Sequence, residues 1–213
     1  MEAILIAVVF GLLIRIFIIQ PIRVISSSME NTLLIGDCLL INKLVYQVRI
    51  PFLRFRLPPM GTPKPGEIIV FSFPDNPSQS FIKRCVAIGG QLIEVRSGVL
   101  YVDGKIVSSP PFAKRSNWAY SHSNIKDKYG PLQIPEDHFF AMGDNRDHSK
   151  DSRSWGAIPH SYLEGKVMLV YFSWRLDSEV LYSRDLSTPR IFLYNIIHFS
   201  KRVRWNRIGK IVR

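Results

Sequence analysis

The sequence predicts a mainly β protein, an antiparallel sheet preceded by one apolar helix. Three observations lead there. Short runs rich in β-branched and apolar residues recur along the chain, bounded by Gly or Pro. Asp103-Gly104 sits between apolar residues, a strong hairpin signal. No stretch after Ile19 carries a long helical period, and no internal repeat is visible.

The elements follow in order. Residues 3–19 (AILIAVVFGLLIRIFII) are the apolar run. Its 17 residues would make a helix of about 25 Å at ~1.5 Å per residue, short for a bilayer span. Extended to Gln20 or Pro21, with Arg15 snorkelling to the headgroups, the run predicts a transmembrane anchor over residues 1–21. A cleaved leader fits worse: only Met1 and Glu2 precede the run, and no small-residue cleavage site follows. Strands are predicted at Cys38–Val45, Glu67–Phe73, Gln91–Arg96, Val99–Val107 (a hairpin) and Val167–Trp174. Residues 47–65, with five prolines, form an irregular loop, and the polar stretch 108–135 suits an inserted cap or flap. The segment 191–213 joins an apolar patch to Lys201, Arg202, Arg204, Arg207, Lys210 and Arg213. It is either an interfacial helix or a final strand pair on the core, with the strand pair favoured.

A chain of 213 residues is enough for one domain with a real core and a smaller subdomain. Its net charge of +11 fits nucleic acid or an anionic lipid surface. No zinc-finger spacing, Walker loop or RNP-type aromatic motif occurs, so the lipid bilayer is the expected partner and nucleic acid is not. Cys38 and Cys85 are too few for a disulfide framework; free buried thiols are the favoured expectation and a single bridge between them the alternative. Arg15 and Arg23, at the end of the apolar run, would place the body in the cytoplasm by the positive-inside rule, a weak rule for long domains.

The chemistry centres on Ser28 and Lys83. A serine hydroxyl is a poor nucleophile until a base takes its proton. Of five histidines only His148 lies in a motif-like segment, beside Asp147, and no Gly-x-Ser-x-Gly elbow occurs. Lysine is the alternative base. It must be neutral, and Ile82, Val86 and Ile88 around Lys83 supply an apolar setting that would lower its pKa. The acidic run from Asp144 fails as a calcium loop, since Trp155 stands where the twelfth-position Glu is required. A turn in which Asp151 pairs with Arg153 or Arg84 explains it better.

These segments together resemble bacterial type I signal peptidase, a family of Ser–Lys endopeptidases. Ser26-Ser27-Ser28-Met29 with Thr32-Leu33 and Gly36-Asp37 resembles its serine segment, and Lys83-Arg84 its lysine strand. Gly143 to Arg153 (GDNRDHSKDSR) is similar residue for residue to a third motif. The resemblance implies an antiparallel-sheet core of the signal-peptidase and LexA-like type in a catalytic domain over residues 22–213. It implies Ser28 as nucleophile, Lys83 as general base, and Ser26 with the Ser28 N–H as oxyanion hole. It further implies Ser149 as the hydroxyl orienting Lys83, and Asp151, Arg153 and Arg84 as a supporting ion-pair group. Neither metal nor cofactor is expected. The implied substrates are secretory preproteins with small residues at −1 and −3, and the implied location is a bacterial plasma membrane with an extracytoplasmic catalytic domain. A strand-lined groove walled by Met29, Leu33 and Ile82 would read those small residues on one face of an extended peptide. Ser27, Ile25, Asn31, Gly89 and Gln91 depart from the family's usual residues. The rival expectations are a LexA-type self-cleaving peptidase and a membrane-tethered β adaptor without catalysis.

Overall fold

A computed structural model of the chain describes residues 2–46, 61–74, 76–107, 128–175 and 196–212. The expectations for residues 47–60, 108–127 and 191–195 lie outside the described residues.

The apolar run folds as helix α1, Glu2–Phe17, with Glu2 in its first turn and Arg15 in its last, both favourable to the helix dipole. It is 16 residues long, and no helix among the described residues is long and apolar enough to cross a membrane. The expected boundary at residue 21 is corrected, because Ile18 is a turn and Ile19–Arg23 forms strand β1. Pro21 lacks the N–H that a continuing helix needs, whereas an edge strand tolerates it. The strand pairs antiparallel with β2 (Asp37–Asn42), Pro21 opposite Leu40.

Ten further strands complete two sheets. They are β3 (Ile68–Phe73), β4 (Asn76–Ile88), β5 (Leu92–Arg96), β6 (Val99–Val102), β7 (Lys105–Ile106) and β8 (Tyr129–Gln133). After these come β9 (His138–Met142), β10 (Ile158–Pro159), β11 (Leu163–Ser173) and β12 (Lys210–Ile211). The larger sheet runs β1-β2-β11-β3-β4-β9-β10, with β12 also on β11, and the smaller runs β7-β6-β5-β8. Every strand pairing among the described residues is antiparallel, as the sequence predicts.

The β6–β7 hairpin forms at Asp103-Gly104, both at positive φ (51° and 74°), as the two-residue turn of a twisted hairpin requires. Ser97-Gly98 does the same between β5 and β6. The described C-terminal residues form neither a long interfacial helix nor the expected strand pair, and they meet the core through Val203, Arg207 and Val212. A short helix, Phe199–Arg202, is followed by a bridge from Val203 to Trp174 and by β12 on β11. Three apolar clusters hold the layers together. One gathers Met29, Leu33, Leu39, Ile41, Val70 and Val170 beneath the serine segment. Another fills the space between the small sheet and β4–β9, and the third lies around Ile69, Phe71 and Phe139. Each fully buried side chain of this size contributes roughly 1.5–3 kcal/mol.

Candidate active site

Ser28 sits in a one-turn 3-10 helix, Ser27–Met29, just after β1. Ser26 enters it extended (φ −124°, ψ 155°), and the Glu30 N–H closes the turn on Ser27 O. Met29 and Leu33 pin the segment from below, both buried in the core. From the far side Asn145 fastens it: its backbone N–H donates to Ser28 O at 3.0 Å and its Nδ2 to Ser27 O at 3.1 Å. Gly143 allows this approach, since a Cβ there would strike the Ser28 carbonyl oxygen and Ser149 Oγ.

Lys83 arrives from the middle of β4, paired with Ile69 of β3. Its Nζ lies 2.5 Å from Ser28 Oγ, and Ser26 Oγ lies 3.2 Å from the same atom. The sequence separates Ser28 and Lys83 by 55 positions; the fold makes them a hydrogen-bonded pair. Both are buried, at 7% and 2% exposure. Burial lowers the Lys83 pKa from 10.5 to about 8, while the charges of Asp151 and Asp144 pull the other way. A lysine so placed can exchange a proton with the serine near neutral pH. His148, the rival base, is exposed.

Two bidentate ion pairs hold the surroundings. Arg84 donates through Nε and Nη2 to the two oxygens of Asp144 at 2.9 and 2.8 Å, and Thr32 Oγ1 donates to Asp144 Oδ2 at 2.6 Å. Arg153 donates through Nε and Nη2 to Asp151, both at 2.9 Å. Asp151 also accepts from the Gly143 N–H at 3.1 Å and caps α2 (Ser152–Trp155) by accepting from the Arg153 N–H. Burial alone would raise the Asp151 pKa; Arg153, the Gly143 N–H and the Ser149 hydroxyl outweigh it and hold the carboxyl below its ordinary value. Arg84 therefore belongs to Asp144, not to Asp151.

Two placements differ from expectation. Ser149 Oγ is buried over Gly143, where it helps hold the Asp151 carboxyl below its ordinary value, and no hydrogen bond joins it to Lys83 among the described residues. Leu33 is a core residue and does not line the cleft, because the chain after Ser28 turns inward. Met29 and Ile82 do line it. This cleft, about 530 Å³, runs between Ile22–Ser26 on one side and Ser78–Lys83 on the other, with Ser28 and Lys83 in its wall. Ile25, 83% exposed, also lines it. Over residues 78–83 one edge of β4 has no described strand partner, since β9 joins only from Arg84 onward.

The departures find places too. Asn31 has φ 79°, a left-handed conformation that Asn tolerates and Pro cannot adopt. Gln91 Oε1 accepts from the Ile88 N–H, and Gln91 Nε2 donates to Asp103, bracing the turn after β4 against the hairpin. Both cysteines are free, and burial pushes the Cys85 thiol up to about 12.

One network escapes sequence reasoning. Asp37, at the start of β2, is fully buried and takes Arg207 on both carboxylate oxygens, Ser173 Oγ at 2.6 Å and the Leu34 N–H at 2.8 Å. The only hint is an acid beside Gly36 and a distant arginine cluster.

Comparison with known proteins places this arrangement. A family model described as "Signal peptidase, peptidase S26" matches residues 1–174. The chain belongs to the signal peptidase family, peptidase S26. It is 30% identical to a signal peptidase I of Aquifex aeolicus, covering 97% of this chain and 94% of that one. It is 32% identical to a signal peptidase I of Pseudomonas aeruginosa (76% and 68% covered) and 33% to one of Bacillus licheniformis (80% and 86%). A crystal structure of a signal peptidase I from Enterococcus faecalis overlaps 49% of this chain and 96% of its own, at 29% identity and a TM-score of 0.41. As a member of this family the chain is a peptidase, a hydrolase of peptide bonds.

Proposed function

We propose that this chain removes signal peptides from secretory preproteins, with Ser28 as nucleophile and Lys83 as general base. The single observation that carries the reading is the 2.5 Å contact between Lys83 Nζ and Ser28 Oγ, both buried in the wall of an open cleft. Neutral Nζ accepts the Ser28 proton as Oγ bonds to the scissile carbonyl carbon. The carbonyl oxygen becomes an oxyanion facing Ser26 Oγ and the Ser28 N–H. Collapse expels the amine, which takes the proton from Nζ, and leaves an ester on Ser28. Water, deprotonated by the same lysine, then releases the acid and restores the serine.

Substrate lies in the cleft as an added strand between residues 22–26 and 78–83. Alternate side chains of an extended peptide share a face, so residues −1 and −3 both meet the wall formed by Met29 and Ile82. Membrane attachment comes through α1. Ile4, Leu5, Ile6, Val8, Val9 and Phe10 are all exposed, as an apolar helix destined for lipid would be. The catalytic domain then faces the extracytoplasmic side, where a translocated cleavage site emerges.

The test is processing of a preprotein with an Ala-x-Ala site. Ser28→Ala and Lys83→Ala should each abolish it. Lys83→Arg should fail as well, because arginine keeps its proton at any working pH. Labelling of Ser28 by an acylating serine inhibitor separates this reading from a non-catalytic adaptor. Full activity in any of the three variants would remove the assignment.

A further inference from the structure

A second concave site lies away from the cleft, lined by Gly66, Arg84, Val86, Val107 and Arg146, with a volume of about 250 Å³. Arg146 is its unexplained member. The residue is 93% buried, at 7% exposure, and its Nε meets no hydrogen-bond partner among the described residues. Neither catalysis nor the ion pairs of Asp144 and Asp151 use it, for those carboxylates are held bidentately by Arg84 and Arg153. The charged groups acting on Arg146 are Asp144, Arg153, Asp151 and Arg84. With Arg146 itself, that makes three guanidinium groups against two carboxylates, one positive charge in excess. The two carboxylates acting on Arg146 are each already taken bidentately by another arginine, and Arg146 cannot escape by losing its proton.

We propose that this crevice is a binding site for a phosphate-class oxyanion, held by Arg146 and facing Arg84. The two guanidinium groups come from different elements, Arg84 from β4 and Arg146 from the loop after β9, and meet in one hollow. Arg84 is engaged through Nε and Nη2 with Asp144 and through Nη1 with Gly66 O, so Arg146 is the donor for the ligand, and a tetrahedral oxyanion offers it acceptor edges in several directions. A phosphate or monoester carries one to two negative charges near neutral pH and balances the excess. The hollow has room for an ester substituent, so a free phosphate and a lipid phosphomonoester headgroup share the required chemistry.

The test is calorimetric titration of inorganic phosphate into the full chain in neutral detergent, with ionic strength held constant by chloride. Saturable one-to-one binding is expected, weakened at least tenfold in Arg146→Met. Val107→Phe, which fills the hollow and keeps every charge, should weaken it as much; it decides alone if Arg146→Met does not fold. Competition by short-chain phosphatidic acid assigns the site to a headgroup, and failure to compete assigns it to the free ion. Absence of saturable heat from both phosphate and phosphatidic acid overturns the proposal. Affinity unchanged in Val107→Phe overturns it equally.

Discussion

Lys83 Nζ must be neutral before it can take the Ser28 proton, and burial decides at what pH that happens. With its pKa lowered to about 8, kcat/KM should rise roughly tenfold per pH unit below that value and level off above it. A pH–rate profile checks this; an acid limb that vanishes in His148→Ala would move the titrating base to histidine. The same shift bears on stability. The folded state binds fewer protons than the unfolded one between about 8 and 10.5, so this group's contribution becomes more favourable as pH rises through that window. Ser26 tests the other half of the mechanism. Its Oγ lies 3.2 Å from Ser28 Oγ, close enough to serve the developing oxyanion. Ser26→Ala should lower kcat about 100- to 1,000-fold, or ~2.7–4 kcal/mol, with KM little changed. Steady-state kinetics separate this from a substrate contact, which would move KM instead. At this scale the serine and lysine motifs were legible because each is local and chemically distinctive. Leu33 was not, because its side-chain direction depends on an inward turn that spacing does not encode. Nor was Ser149, whose packing over Gly143 depends on how the Gly143–Arg153 segment folds back on Ser28.

Among the elements, β2 and the C-terminal segment depend on one buried pair. Arg207 reaches Asp37 with Nη2 at 2.6 Å and Nε at 3.0 Å, and Arg204 stands 3.8 Å from the same carboxylate. Burial pushes the Asp37 carboxyl up, but the hydrogen bonds from Arg207, Ser173 and Leu34 hold it below its ordinary value. Its stabilising contribution is therefore present above the ordinary carboxylate range and is lost as pH falls through it. Arg207→Met strips the carboxylate of its bidentate partner and should destabilise the fold by about 3–5 kcal/mol, read from the denaturant midpoint. The double variant with Asp37→Leu should recover part of that loss, since no charge is then left buried alone. No local pattern announces this pair, because its members lie 170 positions apart. Elements with local signatures fared better: β2, β3, β5 and the Asp103-Gly104 hairpin stand within a few residues of their predicted places. β1 was hidden because Ile19–Arg23 continues an apolar run, and only pairing with β2 distinguishes strand from helix there.

At the scale of the whole molecule the boundary between the apolar helix and the folded body falls at Ile18, because β1 is an edge strand of the larger sheet. The antiparallel β class was legible from pattern alone. The boundary was not, since apolar residues serve a bilayer and a sheet equally well. This placement makes two nearby truncations differ sharply. Removing residues 1–17 deletes α1, whose residues 2–11 are exposed, and leaves every described strand in place. That form should remain folded, need less detergent and still cut a soluble peptide. It should act more slowly on a preprotein inserted in vesicles, having lost the advantage of a shared membrane. Extending the deletion through Arg23 removes β1, exposes one edge of β2 and takes away the strand that leads into Ser26 and Ser28. The longer truncation should lose its cooperative melting transition and its activity on the soluble peptide together. Melting curves and peptide assays on the pair check this. Equal behaviour of the two forms would mean that β1 contributes nothing to the sheet and that the body begins at Val24.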